Sequence, residues 1–427
     1  MTRLSLATRR TFRSLRFRNF KLFFFGQLIS QAGTWLTMIA LTLLVLHRTG
    51  SGLAIGILTA CQFAPILVLG AWGGLVADRS DKRRLLLVTQ TLEMLQSFAL
   101  AALAFMPHAP LVAFYGTALA GGVMLAFDNP ARRAFVSEMV PPDEVQNAVT
   151  LNSALMTSSR VIGPALAGLL VVTTGFGWCF TIDAISYLAV IASLWMMRTS
   201  ELHTPPVARR AKGMVREGLR YVRRVPDLWV PLVMMTVVGT LTFNFSVVIP
   251  LFVEHTLHGN DGSYTLLYSV LSFGSLTGAL VAAHRHAIGV RTIVVASVAF
   301  GAAMLLFSTA PSLVASFPIA LLVGFTSVAF MTGSSAVVQL RSAPTMRGRV
   351  LALQAIVFIG STPVGGPLLG AVCDRYGARA GLVVGGVAAL AAGAWGYRKT
   401  RRMAGAGGTS VDGVDALEAE AAEMQVA

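Results

Sequence analysis

The sequence has few charges, few cysteines and no nucleotide-binding loop. Charged residues make up 12% of the 427-residue chain, whereas ordinary soluble domains carry about 25%. Hydrophobic residues make up 55%, which excludes an ordinary water-soluble protein. Cys61, Cys179 and Cys373 fall in or beside apolar stretches and lack the spacing of metal ligands. No G-x-x-x-x-G-K-[ST] phosphate loop occurs. The histidines lie in loops and near the ends of apolar stretches, which disfavours a haem protein. We therefore expect no metal and no cofactor.

The chain instead contains a series of apolar stretches of about 18–25 residues, the length that crosses the hydrocarbon core of a membrane. The predicted spans, numbered 1 to 12, are 20–46, 52–76, 85–106, 111–131, 145–172, 176–197, 228–252, 264–284, 292–309, 313–338, 348–373 and 378–397. The predicted fold class is therefore an all-α polytopic membrane protein with twelve transmembrane helices.

Lysine and arginine are distributed unevenly between the two predicted membrane faces. All but four of the 34 residues of these types fall in the N-terminal tail, the even-numbered loops or the C-terminal segment. Arg48, Arg375 and Arg379 fall on the opposite face, and Arg160 lies inside span 5. Because cationic loops resist translocation, we predict that both termini lie in the cytoplasm. We expect a multi-pass protein of the bacterial plasma (inner) membrane. This topology and attraction to anionic lipids explain the net charge of +15 better than nucleic-acid binding does.

The longest polar interruption divides the spans six and six. We predict an N-terminal bundle over residues 1–197, a cytoplasmic linker over 198–227, a C-terminal bundle over 228–400 and a disordered acidic tail over 401–427. Apolar and basic residues of the linker recur at helical spacing, which favours an amphipathic basic helix in the headgroup layer. A solvated basic linker fits the same composition.

A weak internal repeat supports the division into halves. Residues 142–168 and 344–370 each run from a proline into a span that contains a Gly-Pro step. Parallel repeats of this kind are a recurring plan among transporters. The two predicted seam steps are Gly163-Pro164 in span 5 and Gly366-Pro367 in span 11.

The loop between spans 2 and 3 combines small, acidic and basic residues. It reads Gly-Leu-Val-Ala-Asp-Arg-Ser-Asp-Lys-Arg-Arg from position 74. The glycine allows close packing of helices, and the cations hold the loop in the cytoplasm. The segment resembles the G-x-L-a-D-R-x-G-R-K signature of the major facilitator superfamily, with Asp81 in place of the second glycine. The candidate gating and signature residues are Gly74, Asp78, Arg79, Lys82, Arg83 and, from the end of span 4, Arg132.

Further segments are similar to the enterobactin-exporter and multidrug-efflux branch of that superfamily. They cover residues 128–141, 160–168 and 217–226. The resemblance implies alternating access by two six-helix bundles, with spans 1, 4, 7 and 10 around a central cavity and spans 2, 5, 8 and 11 at the seam. It also implies a gradient-driven transporter rather than an enzyme, and we expect a monomer. The expected function is proton-coupled export of hydrophobic or amphipathic small molecules, such as drugs or siderophore-like compounds.

Other functions on the same fold stay open. An importer, or a transporter of lysolipids or other lipids, has the same sequence features. A non-transporting membrane sensor is also compatible, although sensors usually carry a soluble output domain. The direction of accumulation in oriented vesicles separates these possibilities.

Ionisable side chains within the predicted spans are candidates for the transport pathway because charge in hydrocarbon is costly. Arg160 lies near the middle of span 5. One expectation is that Arg160 binds an anionic substrate group or a seam carboxylate that titrates during transport. The alternative is that it holds span 5 against the neighbouring helices. Asp128 is a candidate proton carrier on span 4, or a member of a gate network with Asp78, Arg79 and Arg132.

Two further carboxylates, Glu93 and Asp183, lie on spans expected outside the cavity, where structural pairing is favoured. Spans 1 and 7 supply the remaining candidates. Gln27, Gln31 and Thr34 fall on one face of span 1 and predict a polar wall, while span 7 carries Phe243 and Asn244. A mostly apolar cavity with few polar anchors suits amphipathic ligands. Hydrogen bonding between helices explains the polar residues equally well.

Overall fold

The computed structural model describes residues 12–203, 214–283, 289–343 and 346–405. Within those ranges, 12 helical segments are long and apolar enough to cross a membrane, which confirms the predicted fold class. The helices are α1 (Arg18–Thr49), α2 (Gly52–Arg79), α3 (Lys82–Phe105), α4 (Leu111–Glu138), α5 (Val145–Thr174), α6 (Phe176–Trp195), α7 (Met214–Arg224), α8 (Pro226–Leu241), α9 (Phe245–Leu251), α10 (Asp261–Ala283), α11 (Val290–Ser308), α12 (Leu313–Arg341), α13 (Arg347–Tyr376) and α14 (Ala378–Gly405).

Predicted spans 1–6 correspond to α1–α6, span 7 to α8 and α9 together, and spans 8–12 to α10–α14. Four predicted features lie outside the described residues. They are the N-terminal arginines before position 12, linker positions 204–213, the basic loop at 284–288 and the acidic tail from 406 onward. Helix α14 runs to Gly405, past the predicted start of the tail at 401.

The helices pack as two groups joined along a seam. In the first group α1 packs on α5 and α6, α2 on α4, and α3 on α6; in the second, α10 packs on α12, α11 on α14, and α8 on α13 and α14. The seam pairs α2 with α13 and α5 with α10, and α9 contacts α1 and α2. We refer to α1–α6 and α8–α14 as the N-terminal and C-terminal halves.

Glycine allows the seam helices to approach backbone to backbone. A Cβ added to Gly56 would lie 2.5 Å from the carbonyl oxygen of Gly366, and one added to Gly52 would lie 2.9 Å from that of Gly370. Small residues permit such close contacts between membrane helices. Gly366 of the second predicted Gly-Pro step therefore lies at the seam. Gly163 of the first step instead packs against Trp35 of its own half.

The contacts between halves are concentrated at the end of the molecule that carries the α1–α2 turn. His47 Nε2 lies 3.0 Å from Asp261 Oδ1 across the seam. Deeper in the molecule, Gly168 packs against Thr265, and a Cβ at Gly360 would lie 2.6 Å from Leu67. The halves are thus closed against each other from this end to about the middle of the helices. We call this end the closed end.

Span 7, predicted as one helix over 228–252, is interrupted at its centre. Helix α8 ends at Leu241 and α9 begins at Phe245. The Thr242 hydroxyl donates to the carbonyl of Gly385 at 2.9 Å, and the Asn244 amide donates to the carbonyl of Thr240 at 2.8 Å. Side chains that bond to the backbone compete with the helical pattern, which explains a break without a glycine or proline.

The linker contains a helix, α7, that packs on the C-terminal half. Val222 is fully buried among Leu228, Leu232 and other apolar residues. The Tyr221 hydroxyl accepts from the backbone amide of Ala343 at 3.1 Å. These contacts attach the described part of the linker to α8 and α13.

Candidate transport site and gates

Arg160 lies where α1, α5 and α10 meet, near the inner limit of the closed seam. Its guanidinium carbon is 5.7 Å from the centre of the Trp35 ring, and Trp35 lies 6.4 Å from the Tyr268 ring of the other half. Arg160 is exposed and has no ion-pair partner among the residues that the structure describes. A cation over an aromatic face, at a junction of the two halves, is suited to binding an anionic or aromatic group.

An aromatic cluster surrounds the break in span 7. The Phe243 ring centre is 5.2 Å from that of Phe300, 5.4 Å from that of Phe358 and 5.9 Å from that of Phe245. Phe243, predicted on the pathway, is therefore packed by three rings and only partly buried. Discontinuous helices recur near transporter binding sites, so this cluster is the apolar part of the candidate site.

A buried polar core joins α1, α3 and α4 inside the N-terminal half. Asp128 is fully buried and accepts from Thr89 Oγ1 at 2.9 Å and from Gln90 Nε2 at 2.8 Å. It also pairs with Arg132, one helical turn away. Gln90 Nε2 donates to Glu93 Oε2 at 3.0 Å as well. The amide of Gln90 thus bridges two carboxylates, of which Asp128 is paired with Arg132.

Asp183 extends this polar region to α6 without a cationic partner in the described part of the chain. Its Oδ2 accepts from Thr37 Oγ1 and from Ser97 Oγ, each at 2.7 Å. Its Oδ1 is buried and has no hydrogen-bond partner. Of the three buried carboxylates Glu93, Asp128 and Asp183, only Asp128 has an ion-pair partner among the described residues, and that partner is Arg132.

The predicted polar wall of span 1 is divided between two environments. Gln27 is 1% exposed and accepts from Arg132 Nη1 at 3.0 Å, so it belongs to the buried polar core. Gln31 and Thr34 are partly exposed, and Thr34 Oγ1 bonds back to the carbonyl of Ser30 at 3.1 Å. Asn244, at 2% exposure, holds the break in span 7. Gln27 and Asn244 thus do not face the space between the halves.

The cations of the signature loop anchor helix ends within the N-terminal half. Lys82 is buried and pairs with Glu138 at 2.6 Å, while Arg83 Nε donates to the carbonyl of Leu194 at 2.7 Å. Asp81 caps α3 by accepting from the Arg84 amide at 3.1 Å. Its φ of −61° needs no glycine, which explains how the chain departs from the signature at this position.

Other signature positions are placed as follows. Asp78 is partly buried in the last turn of α2, and Arg79 is exposed. Gly74 is also partly buried. The close approach of α2 to α4 is made one residue earlier, at Gly73, where a Cβ would collide with the carbonyl of Ala126. Of the predicted gate network, the Asp128–Arg132 pair is present. Asp128 also accepts hydrogen bonds from Thr89 and Gln90 of α3, and Arg132 donates to Gln27 of α1.

A carboxylate that sequence analysis did not single out joins the halves at the closed end. Asp374, near the end of α13, accepts from the Ser51 hydroxyl at 2.6 Å and from the backbone amides of Gly52 at 2.5 Å and Leu53 at 3.0 Å. These amides open α2, where a negative charge is stabilised. Asp374 therefore caps a helix of the opposite half, and we call this contact the outer latch.

The comparisons with known proteins agree with this architecture. The family described as "Transmembrane secretion effector" matches residues 9–416. The chain belongs to this family of the major facilitator superfamily. It is 25% identical over 371 residues to the multidrug efflux pump Tap of Mycolicibacterium fortuitum, covering 84% of this chain and 90% of that protein.

A second relative is the staphyloferrin A transporter of Staphylococcus aureus, 23% identical over 264 residues. That match covers 61% of this chain and 66% of the relative, just under two thirds of its length. Among solved structures, a bacterial homologue of the human lysosomal transporter Spinster, inward-facing and unoccupied, has a TM-score of 0.72. It is 16% identical and covers 90% of this chain and 97% of that one, a likeness that shows the fold.

Proposed function

We propose that this protein is a secondary active transporter that exports hydrophobic or amphipathic small molecules by alternating access, with proton coupling. The observation that carries the proposal is the seam between the halves. It is closed at one end by the outer latch and by glycine contacts between α2 and α13, and Arg160 lies at its inner limit. The efflux relative Tap supports export over uptake.

Together with the predicted topology, the seam gives the direction in which the candidate site opens. If both termini are cytoplasmic, the α1–α2 turn at Gly50 is extracellular. The closed end is then the outer gate, and we infer that the seam opens towards the cytoplasm. A substrate enters between the halves, contacts Arg160 and the aromatic rings of Trp35 and Phe243, and leaves after the outer latch parts.

The buried polar core is the proposed proton-binding region. An ionised carboxylate buried without a cation is costly, and the single guanidinium of Arg132 is already paired with Asp128. Glu93 and Asp183 therefore bind protons in this conformation, and movement of α1 against α3 and α6 changes their surroundings. Asp128, for which sequence analysis offered either a proton-carrier role or membership of a gate network, acts in this proposal as the fixed counter-ion of Arg132.

Replacing Asp183 by asparagine is expected to uncouple transport from protons and lower gradient-driven export at least about tenfold. The amide oxygen still accepts from Thr37 and Ser97, so the fold is retained. Substrate-induced proton release, measured with a pH dye in proteoliposomes, checks this. Asp143→Asn changes an exposed carboxylate of the same half and is expected to behave like the parent. Unchanged proton release in Asp183→Asn contradicts this assignment.

Weakening the outer latch is expected to shift the conformational equilibrium. Asp374→Ala removes three hydrogen bonds to the start of α2, and losing a helix cap costs about 0.5–2 kcal/mol. A change of one or two kcal/mol alters a population ratio about 5–30-fold. Spin labels at His108 and Thr309, in turns of opposite halves at the closed end, are expected to show a longer distance. Arg375→Gln, at the adjacent exposed residue, serves as control; equal distance distributions in both variants contradict a latch.

Transport assays in oriented vesicles test the function as a whole. Inverted membrane vesicles that contain the protein are expected to accumulate an amphipathic dye such as ethidium when energised, and a protonophore is expected to abolish the accumulation. Accumulation in right-side-out vesicles would indicate import. Binding of compounds from a broad panel, without transport in either orientation, would indicate a sensor.

A further inference from the structure

A groove on the outside of the C-terminal half lies between α10 and α11, with α12 as its floor. It has a volume of about 400 Å³, and its lining includes Val281, Arg291, Val295, Phe325 and Gly333. Val295 is 62% exposed and Val281 is 45% exposed. Apolar side chains exposed at membrane depth face hydrocarbon, so the groove is accessible to the acyl chains of lipids.

Small residues keep this groove open. A Cβ added to Gly333 would have its nearest neighbour, Ile293 Cγ1, at 3.8 Å. A Cβ added to Gly278 would instead lie 2.5 Å from the carbonyl oxygen of Phe325. The first value is ordinary contact beside open space, and the second is a helix contact that only glycine permits. Helix α10 is thus held tightly to α12, while the described residues leave the space towards α11 unfilled.

The groove matches one membrane leaflet in length and position. Arg291 is the second residue of α11, and the lining residue Ala299 lies two turns further along the same helix. At 1.5 Å per residue this separation is about 12 Å, close to half of the roughly 30 Å hydrocarbon core. Under the predicted topology, Arg291 lies at the cytoplasmic headgroup level and the groove runs inward from it.

Charge at the mouth of the groove selects the kind of lipid. Arg291 is exposed and has no ion-pair partner in the described ranges. The Thr292 hydroxyl, which accepts weakly from the Gly289 amide at 3.5 Å, lines the same mouth. An arginine is a strong partner for a phosphate group. The apolar lining and the cation therefore complement the two ends of an anionic phospholipid.

We propose that this groove is a binding site for an anionic phospholipid of the cytoplasmic leaflet, with an acyl chain between α10 and α11 and the phosphate at Arg291. The site is separate from the seam and from Arg160, and it rests on the membrane fold rather than on the direction of transport. The lipid fills a space that the side chains leave empty and thereby supports α11 against α12.

Native mass spectrometry of the full-length protein with added phosphatidylglycerol or phosphatidylcholine tests the proposal. The parent is expected to retain one phosphatidylglycerol, with at least about fivefold lower retention of phosphatidylcholine. Gly333→Leu, which fills the groove, and Arg291→Gln, which removes the charge, are each expected to lower phosphatidylglycerol retention at least about fivefold. Thermal unfolding in detergent without lipid shows whether each variant is folded.

Matched variants separate this site from general lipid contact. Gly116→Leu adds the same side chain at an exposed glycine with nothing within 4 Å, and Arg347→Gln removes an exposed arginine at the start of α13; both are expected to retain lipid like the parent. Equal retention in all variants, or equal retention of both lipids by the parent, overturns the proposal. Unchanged phosphatidylglycerol retention in Gly333→Leu also overturns the proposal, whatever that variant does to ethidium binding.

Discussion

Replacing Arg132 by leucine is expected to destabilise the protein by about 3–5 kcal/mol, because removal of one partner of a buried ion pair leaves the other charge uncompensated. Arg132 pairs with fully buried Asp128 and donates to Gln27, so its loss leaves the buried Asp128 without its cation and Gln27 without this donor. The midpoint of thermal unfolding in detergent is expected to fall sharply, with a lower yield of folded protein.

The neighbouring arginine provides the control for this experiment. Arg133→Leu changes an exposed residue of the same helix turn and is expected to leave the unfolding midpoint nearly unchanged. The double variant Arg132→Leu/Asp128→Leu removes both charges and is expected to recover part of the lost stability, since a buried pair can be replaced by apolar groups. Equal stability of Arg132→Leu and Arg133→Leu would show that the pair contributes nothing to stability.

Loss of the cation at Arg160 is expected to reduce export at least about tenfold while leaving the fold intact. Arg160 is exposed between the halves and contacts Trp35 through its guanidinium, so Arg160→Leu removes charge without burying an unpaired group. Dye accumulation in inverted vesicles measures the effect, and the unfolding midpoint is expected to stay within a few degrees of the parent.

The variants Arg160→Lys and Arg160→Gln separate charge from shape. Lysine keeps the charge and is expected to retain part of the export, whereas glutamine is expected to behave like leucine. If Arg160→Gln and Arg160→Leu express normally and transport at parental rates, Arg160 has no functional role. If both variants lose folded protein, Arg160 is a structural clamp of α5 against α1.

The number of transmembrane helices could be predicted from hydropathy alone, but several of their ends could not. Predicted span 4 stops at residue 131, whereas α4 continues to Glu138. The charged residues Arg132, Arg133 and Glu138 in the last turns of α4 are typical of a loop in a hydropathy-based prediction. Their partners, Asp128 for Arg132 and Lys82 for Glu138, lie inside the bundle and permit burial, and only the tertiary structure brings those partners together.

The candidate site could be predicted only in part. Arg160 stands out in the sequence as a cation within a span, and the structure places it at the junction of the halves. Gln27 and Asn244 lie on spans assigned to the cavity, yet their side chains bond to Arg132 and to the backbone of Thr240. Nothing in the sequence near Asp374 marks it as a functional residue, because its partners are more than 300 residues away. The one local signal is Ser51, a helix-capping residue type just before span 2.

The glycine contacts between α2 and α13 also bear on how easily the molecule changes shape. At Gly56 and Gly366 the touching surfaces are main chain, so parting them rearranges no rotamers and leaves no void to be refilled. Separating the halves also breaks the packing of Leu67 against Gly360 and of Thr265 against Gly168, together with the hydrogen bonds of Asp374. In the proposed alternating access, main-chain contacts of this kind let α2 and α13 part and meet again without side-chain repacking at these two glycines.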